Sequence, residues 1–415
     1  MSIDFTLPED VVAIRDRVRR FVAEDIEPAE AQVREQAGGK DEDTERGLLV
    51  RAIIELRTRA KREGLWNPHL PAEWGGMGLG PMAMATVSAE CGRNRIASFV
   101  LNCQAPDEGN MHTLLHHANA EQKERYLRPL ADGMVRSCFA MTEPEVAGSD
   151  PTGIRSTGVR DGDNWVLNGH KWFISGAHGA AFAIVIAKTD PDADPPQARN
   201  SAFIVDLPNP GFIIVRDIGT MAGRHNHCEI RLENCVVPHA NLLGQRGHGH
   251  LLGQARLGPA RLAHCMRWIG NAEVALEMLV KRALERGLHG GVLADKQGIQ
   301  WMMSESAMEL YAAKLMVLHA AYLIEKQLPF RQEVSMAKYH VANMLWRIID
   351  RAIQVHGALG YSTDTVLEQM MRHARSARLV DGADEVHLSQ IARQVMEVFR
   401  QDGSTRRATG VGLLY

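Results

Sequence analysis

Hydrophobic spacing changes period twice along this chain, and that limits its architecture more than any other feature. Val11, Ile14, Val18, Phe21 and Val22 recur at helical spacing, and the segment is expected to end at Glu27-Pro28. The pattern repeats over 48–62 and stops at Gly64, a breaker-rich stretch runs over 68–81, and helical text returns over 82–95 and 102–130. Near Arg136 the character turns to β. Trp165-Val166-Leu167 and Lys171-Trp172-Phe173-Ile174 flank Asn168-Gly169. Asn-Gly takes the positive φ angles of a tight turn, so a hairpin is expected there. Further strands are expected at 182–187, 202–205, 212–215 and 229–232, with the Asp- and Pro-rich 189–200 as a surface loop. After Gly253 the helical period runs to Arg400.

The expected fold is therefore α+β and multidomain. A helical domain at 1–135 precedes a β domain at 136–246 and a second helical domain at 247–415. A Rossmann fold, which alternates strands and helices throughout, does not fit this order. The length of 415 residues agrees with two to three domains at roughly 150 residues each.

Charge and cysteine content narrow the function. The 47 Lys and Arg against 50 Asp and Glu leave a net charge of −3, which argues against holding nucleic acid or a membrane surface by bulk electrostatics. The six cysteines form no CxxC pair, so a reducing compartment is expected rather than a disulfide scaffold. Met1-Ser2-Ile3-Asp4-Phe5 shows no cationic and then apolar leader, and no 18 apolar residues occur in succession. The expectation is a soluble cytoplasmic protein without a membrane span.

Several signals fail on spacing. The Gly-rich 247–253 misses GxGxxG, and no GxxxxGK[ST] occurs. His225, His227 and Cys228 fit no common zinc signature, so no metal is expected. Gly148-Ser149-Asp150 is not a nucleophile elbow.

Three segments hold together: Cys138-Phe139-Ala140-Met141-Thr142-Glu143-Pro144-Glu145-Val146-Ala147-Gly148-Ser149-Asp150, then Gly169-His170-Lys171-Trp172-Phe173-Ile174-Ser175-Gly176, then Gln354-Val355-His356-Gly357-Ala358-Leu359-Gly360-Tyr361. With the Gly-rich 71–79 they resemble, in order, motifs of the acyl-CoA dehydrogenase family. The resemblance covers essentially the whole chain. It implies a helical domain, a central β-barrel and a C-terminal four-helix bundle, with FAD as cofactor and an acyl-CoA as substrate.

By that resemblance Phe139, Met141 and Thr142 lie along the isoalloxazine, with Thr142 as hydroxyl donor. Phe173 and Ser175 cover its opposite side, although a one-residue slip of register gives that role to Trp172. Taken alone, such an aromatic strand is ordinary β-core. Ser149 is implied to reach toward the CoA pantetheine. Gln354, His356, Gly357, Ala358 and Gly360 read as a helix followed by a glycine turn, where backbone N–H groups approach a pyrophosphate closely. In the family this segment serves the FAD of a neighbouring subunit, which implies a homodimer or homotetramer. Arg286 matches the arginine that binds the FAD diphosphate across that interface; His289 stands where the family has Phe, and Gln297 follows at the expected spacing.

The family's catalytic Glu falls on Asp381 of Val380-Asp381-Gly382-Ala383-Asp384-Glu385. Aspartate is one methylene shorter, but both are carboxylates of similar unperturbed pKa, and burial beside a flavin raises that value toward the working pH. An isolated run of this kind reads as a helix cap. In register, Asp381 is expected to be the base, Gly382 to lie against substrate, and Asp384 and Glu385 to cap the helix or contact FAD. An aspartate here is similar to the branch of family members ten and eleven, as is Arg256-Leu257-Gly258-Pro259-Ala260-Arg261, with Arg261 near the substrate. The implied electron acceptor is an electron-transfer flavoprotein. The rival readings are a nitroalkane-oxidase-like flavoenzyme, which also uses Asp as base, and a flavin- or acyl-CoA-binding protein without turnover.

Overall fold

The computed structural model describes residues 6–38, 41–224 and 226–410. Contacts divide the chain into two compact units: Met1–Glu45, Gly80–Ala97 and Arg261–Tyr415 form one, and Arg46–Leu79 and Ser98–Ala260 form the other.

The first unit is helical. Leu262, Cys265, Ile269, Ala272, Ala275 and Leu279 recur on one stripe of the helix Gly249–Glu285 and are buried. They share a core with Ala313, Val317 and Ala320 of Gln297–Glu325, and with Val341, Leu345, Ile348 and Ala352 of Arg331–His356. The small Ala side chains on these stripes let helices approach closely while burying apolar surface. By length and composition Gln297–Glu325 is, among the described residues, the one helix able to cross a membrane. Its buried face packs in the helical core instead.

Near the N-terminus the expected helix end at Glu27-Pro28 is not observed. Glu9–Phe21 runs through a π-turn at Val22–Ile26 directly into Glu27–Ala37. Pro28 stands in the first turn of that last helix, where its missing N–H breaks no ladder bond.

The second unit carries the sheet. Its strands are β1 Arg136–Ala140, β2 Thr157–Asp161, β3 Asn164–Ser175, β4 Ala180–Lys188, β5 Asn200–Asp206, β6 Phe212–Asp217, β7 His227–Pro238 and β8 Leu242–Leu243. The order is β6-β7-β3-β2-β4-β5-β8, with β1 parallel to β4. The apolar run of β4 follows from burial on both faces. Phe182, Ile184 and Ile186 pack with Met111, Leu114 and Tyr126 from the helical side, while Ala183, Val185 and Ala187 pack with Trp165, Phe203 and Ile230 from other strands. The sheet thus encloses its own core, but among the described residues its order does not return on itself. The expected barrel is an open-ended sheet.

The expected hairpin at Asn168-Gly169 is also corrected. β3 continues through both residues, paired to β7 with an irregularity between Leu167 and Gly169. The tight turn lies earlier, at Gly162-Asp163, where Asp161 pairs with Asn164 and Gly162 has φ 54°. What position 169 requires is closeness: a Cβ there would stand 2.1 Å from the Ser156 hydroxyl. An Asn-Gly pair marks a turn only when nothing else needs the missing side chain.

Candidate active site

In the second unit, alternation along β1 sends Cys138 and Ala140 into the sheet core and leaves Phe139, and Met141 just beyond the strand, on the helical side. The Arg256 guanidinium lies over the Phe139 ring at 4.4 Å. Past the strand, Thr142 is exposed, and its hydroxyl donates to the Trp172 carbonyl at 2.7 Å while the Trp172 N–H donates to the Thr142 carbonyl at 3.1 Å. In this structure the Thr142 hydrogen is therefore engaged, which leaves its oxygen to accept.

β3 bulges between Lys171 and Ile174. The bulge presents Phe173, which is 43% exposed and has φ 52°. A bulky residue in the left-handed region costs on the order of 1–3 kcal/mol and points to function. Trp172 is half-buried, its ring 5.0 Å from Phe173, so the residue set forward is Phe173. Ser175 Oγ lies 2.8 Å from His227 Nδ1, and burial pushes the His227 pKa down. An exposed ring with hydroxyls beside it suits a flat aromatic ligand with a polar edge, such as flavin. Ser149 is exposed on the following loop.

Sequence reasoning missed what holds this edge in place. The Lys171 ammonium, fully buried, donates to the Met141 carbonyl at 2.9 Å, the Ile186 carbonyl at 2.8 Å and Glu143 Oε1 at 2.8 Å. Glu143 also accepts from the Ser156 N–H and hydroxyl and the Arg155 N–H. Burial raises the Glu143 pKa, but Lys171 and these donors outweigh it and hold it below the usual carboxylate range. The available signal was a lysine at an inward position of an otherwise apolar strand phase.

In the first unit, the loop before the helix Asp384–Asp402 carries Asp381 at φ 53° and Gly382 at φ 110°. Two cations hold its backbone: Arg261 Nε donates to the Asp381 carbonyl and Lys338 Nζ to the Gly382 carbonyl, each at 2.7 Å. Burial pulls both cations' pKa values down. The Asp381 carboxylate Oδ2 lies 3.2 Å from His264 Nε2, with its side chain 20% exposed. Beneath the loop, His387 is buried and its pKa is pushed down to about 4, by burial first and then by Lys338 and Arg261.

Asp384 does not cap the helix. Ala383 is the N-cap and no side chain bonds there; the buried Asp384 carboxylate instead takes Arg378 at 2.7 Å and Asn343 at 3.1 Å. Two specific donors inside the fold outweigh the cap. Glu385 is exposed beside it. Arg286, Gln297, Gln354, Gly357 and Ala358 are exposed as well, with Gly357 at φ 65° ending the helix Arg331–His356. The structure thus brings Asp381, Gly382, Arg261 and Asp384 into one cluster, and Thr142 to the bulge that carries Phe173.

His225 of the weighed metal trio lies outside the described residues, as do the side chains of 257–259. His227 faces Ser175, whereas Cys228 lies with His178 and Asp217, the ligand atoms of the three within 4.8 Å of one another.

Gly382 is a position where alanine is expected to fail. Its φ disfavours a side chain, and a Cβ would stand 2.8 Å from His387 Nε2. Gly382→Ala is expected to cost about 1–3 kcal/mol and lower the calorimetric Tm by about 2–12 °C. A Tm within 1 °C of the parent, by about the calorimeter's own scatter, would contradict the packing described.

The chain matches the N-terminal domain of acyl-CoA dehydrogenases at residues 8–134, the middle domain at 138–235 and the C-terminal domain at 247–396. It is 41% identical over 401 residues to a probable acyl-CoA dehydrogenase of Mycobacterium tuberculosis, covering 94% of this chain and 96% of that one. Acyl-CoA dehydrogenase family member 11 of Gallus gallus is 38% identical over 385 residues, covering 91% of this chain and 49% of the relative. The chain therefore spans about half the length of that relative. A candidate acyl-CoA dehydrogenase of known structure from Mycobacterium abscessus superposes with a TM-score of 0.88 at 34% identity, covering 96% of this chain and all of the other.

Proposed function

The chain belongs to the acyl-CoA dehydrogenase family of FAD-dependent oxidoreductases, and from that premise we propose that it converts a fatty acyl-CoA to the trans-2-enoyl-CoA with Asp381 as general base. The observation that carries this reading is the Asp381 loop. A partly exposed carboxylate sits on left-handed backbone, and the half-buried Arg261 and buried Lys338 fix that backbone through the carbonyls of Asp381 and Gly382. Such a loop fixes the backbone from which the carboxylate reaches, part of the positioning that proton abstraction from carbon requires. When bound, the flavin supplies the acceptor for the β-hydride.

The remaining roles follow from the chain's own groups. Asp381 takes the α-proton, and its backbone N–H polarises the thioester carbonyl, which acidifies that proton. Thr142, Phe173 and Ser175, with Phe139 and Met141, form the flavin edge, and Ser149 meets the pantetheine. Exposed Arg286, Gln297, Gln354, Gly357 and Ala358 reach the FAD of a neighbouring subunit. An oligomer is supported by Trp301, Met308 and Tyr311, which stand 60–67% exposed on Gln297–Glu325. Electrons leave to an electron-transfer flavoprotein in the cytoplasm.

Anaerobic titration of the purified protein with saturated acyl-CoAs of graded length tests the reaction. One chain-length class is expected to bleach the flavin at one equivalent per site. Flavin that stays oxidised with every acyl-CoA would overturn the reading; tight acyl-CoA binding in that case would indicate a binding protein, and oxygen uptake with nitroalkanes the oxidase.

A further inference from the structure

We propose that His264 is a positioning residue for Asp381: its Nε2–H holds the aspartate carboxylate in the orientation from which it meets substrate. The proposal rests on the reading of Asp381 as the base.

The hydrogen assignment follows from the neighbours. Arg267 Nη2 lies 3.3 Å from His264 Nδ1. A guanidinium only donates, so Nδ1 accepts and the ring proton resides on Nε2. That nitrogen is 3.2 Å from Asp381 Oδ2. The flat face of the ring lies on Trp268, with centroids 5.5 Å apart and planes at 21°. Arg267, Trp268 and Asp381 thus fix the imidazole in three directions.

Arg261 and Lys338 hold the loop by its carbonyl oxygens, which sets the backbone at 381 but leaves the carboxylate to rotate. His264 grips the carboxylate itself. Both side chains are about one-fifth exposed, at 22% and 20%, so the pair opens outward rather than being sealed in the core. Such a grip matters because a misplacement of the carboxylate by about 1 Å costs on the order of a hundredfold in rate. The other charged or titratable groups near the pair are Arg261 and Arg267 on the same helix, Lys338 on Arg331–His356, and Asp384 and the imidazole of His387 on Asp384–Asp402.

The test is single-turnover anaerobic flavin reduction by a saturating acyl-CoA, in a cycle of His264→Leu, Asp381→Glu and the double variant. His264→Gln and Asp381→Asn serve as controls, and FAD content and melting are followed throughout. His264→Leu is expected to slow the limiting rate about 10–100-fold while half-saturation moves less than about threefold. His264→Gln, which keeps a side-chain N–H, is expected to recover most of that loss. In the Asp381→Glu background, where the longer carboxylate no longer meets the ring, His264→Leu is expected to cost less than about threefold. A His264→Leu rate within about twofold of the parent, or an equal penalty in both backgrounds, would overturn the proposal. Failure of the base reading shows separately, as normal bleaching by Asp381→Asn, and the positioning role falls with it.

Discussion

Replacing Asp381 by asparagine is expected to slow anaerobic bleaching by acyl-CoA about 10²–10⁴-fold while FAD stays bound, which is the range for removing a general base. The structure makes this a clean comparison. The loop's backbone is held by Arg261 at the carbonyl of 381 and by Lys338 at the carbonyl of 382. Asparagine keeps both, and its amide oxygen still accepts from His264. What it loses is the capacity to take a proton from carbon. FAD content, melting temperature and acyl-CoA affinity are expected to stay near parental values while the reduction rate collapses. Full bleaching at the parental rate would remove Asp381 from the chemistry and return it to a structural role.

The helical and β segments were legible because periodicity is local: Val11, Val18 and Phe21, or the apolar residues of β4, announce their elements through burial of one or both faces. Asn168-Gly169 misled because the reason for the glycine lies across the sheet, in Ser156. Pro28 misled because the π-turn before it, not its own identity, decides whether the helix continues. The interest of Asp381, proposed here as the base, was legible through register with its family. Its left-handed backbone was not, nor were the cations beneath it, since Arg261, Lys338 and Asp381 are far apart in sequence and meet only through the packing of three segments. His264 carried no signal, being one polar residue among others, Arg261 and Arg267 included, on a long helix. The same holds for Asp384, whose place before a helix suggested a cap until Arg378 and Asn343 were seen to claim it.

The second large effect is expected from Lys171→Met, and it is an effect on stability. Lys171 is 0% exposed and Glu143 3%, so the variant leaves a carboxylate inside the sheet without its cation. Breaking one side of such a pair costs about 3–5 kcal/mol, a fall in calorimetric Tm of about 6–20 °C. Glu143→Gln is expected to be milder, because an amide oxygen can still accept from Lys171 and Ser156, although the charge is gone. The double variant Glu143→Leu with Lys171→Met removes both charges and is expected to recover part of the loss, since the unpaired charge rather than the missing contact dominates the penalty. The pH dependence has a definite sign. A carboxyl whose folded pKa lies below its unfolded value adds stability above the ordinary carboxylate range, and that stability is lost as pH falls through the folded value. Glu143 is such a group, so the Tm gap between parent and Lys171→Met is expected to be full at neutral pH and to narrow in acid. Lys171 also holds the Met141 carbonyl, next to Thr142. The same variant should therefore release FAD at lower denaturant concentration than it unfolds, and loss of flavin and of structure in one step would show that the clamp does not support the flavin edge separately.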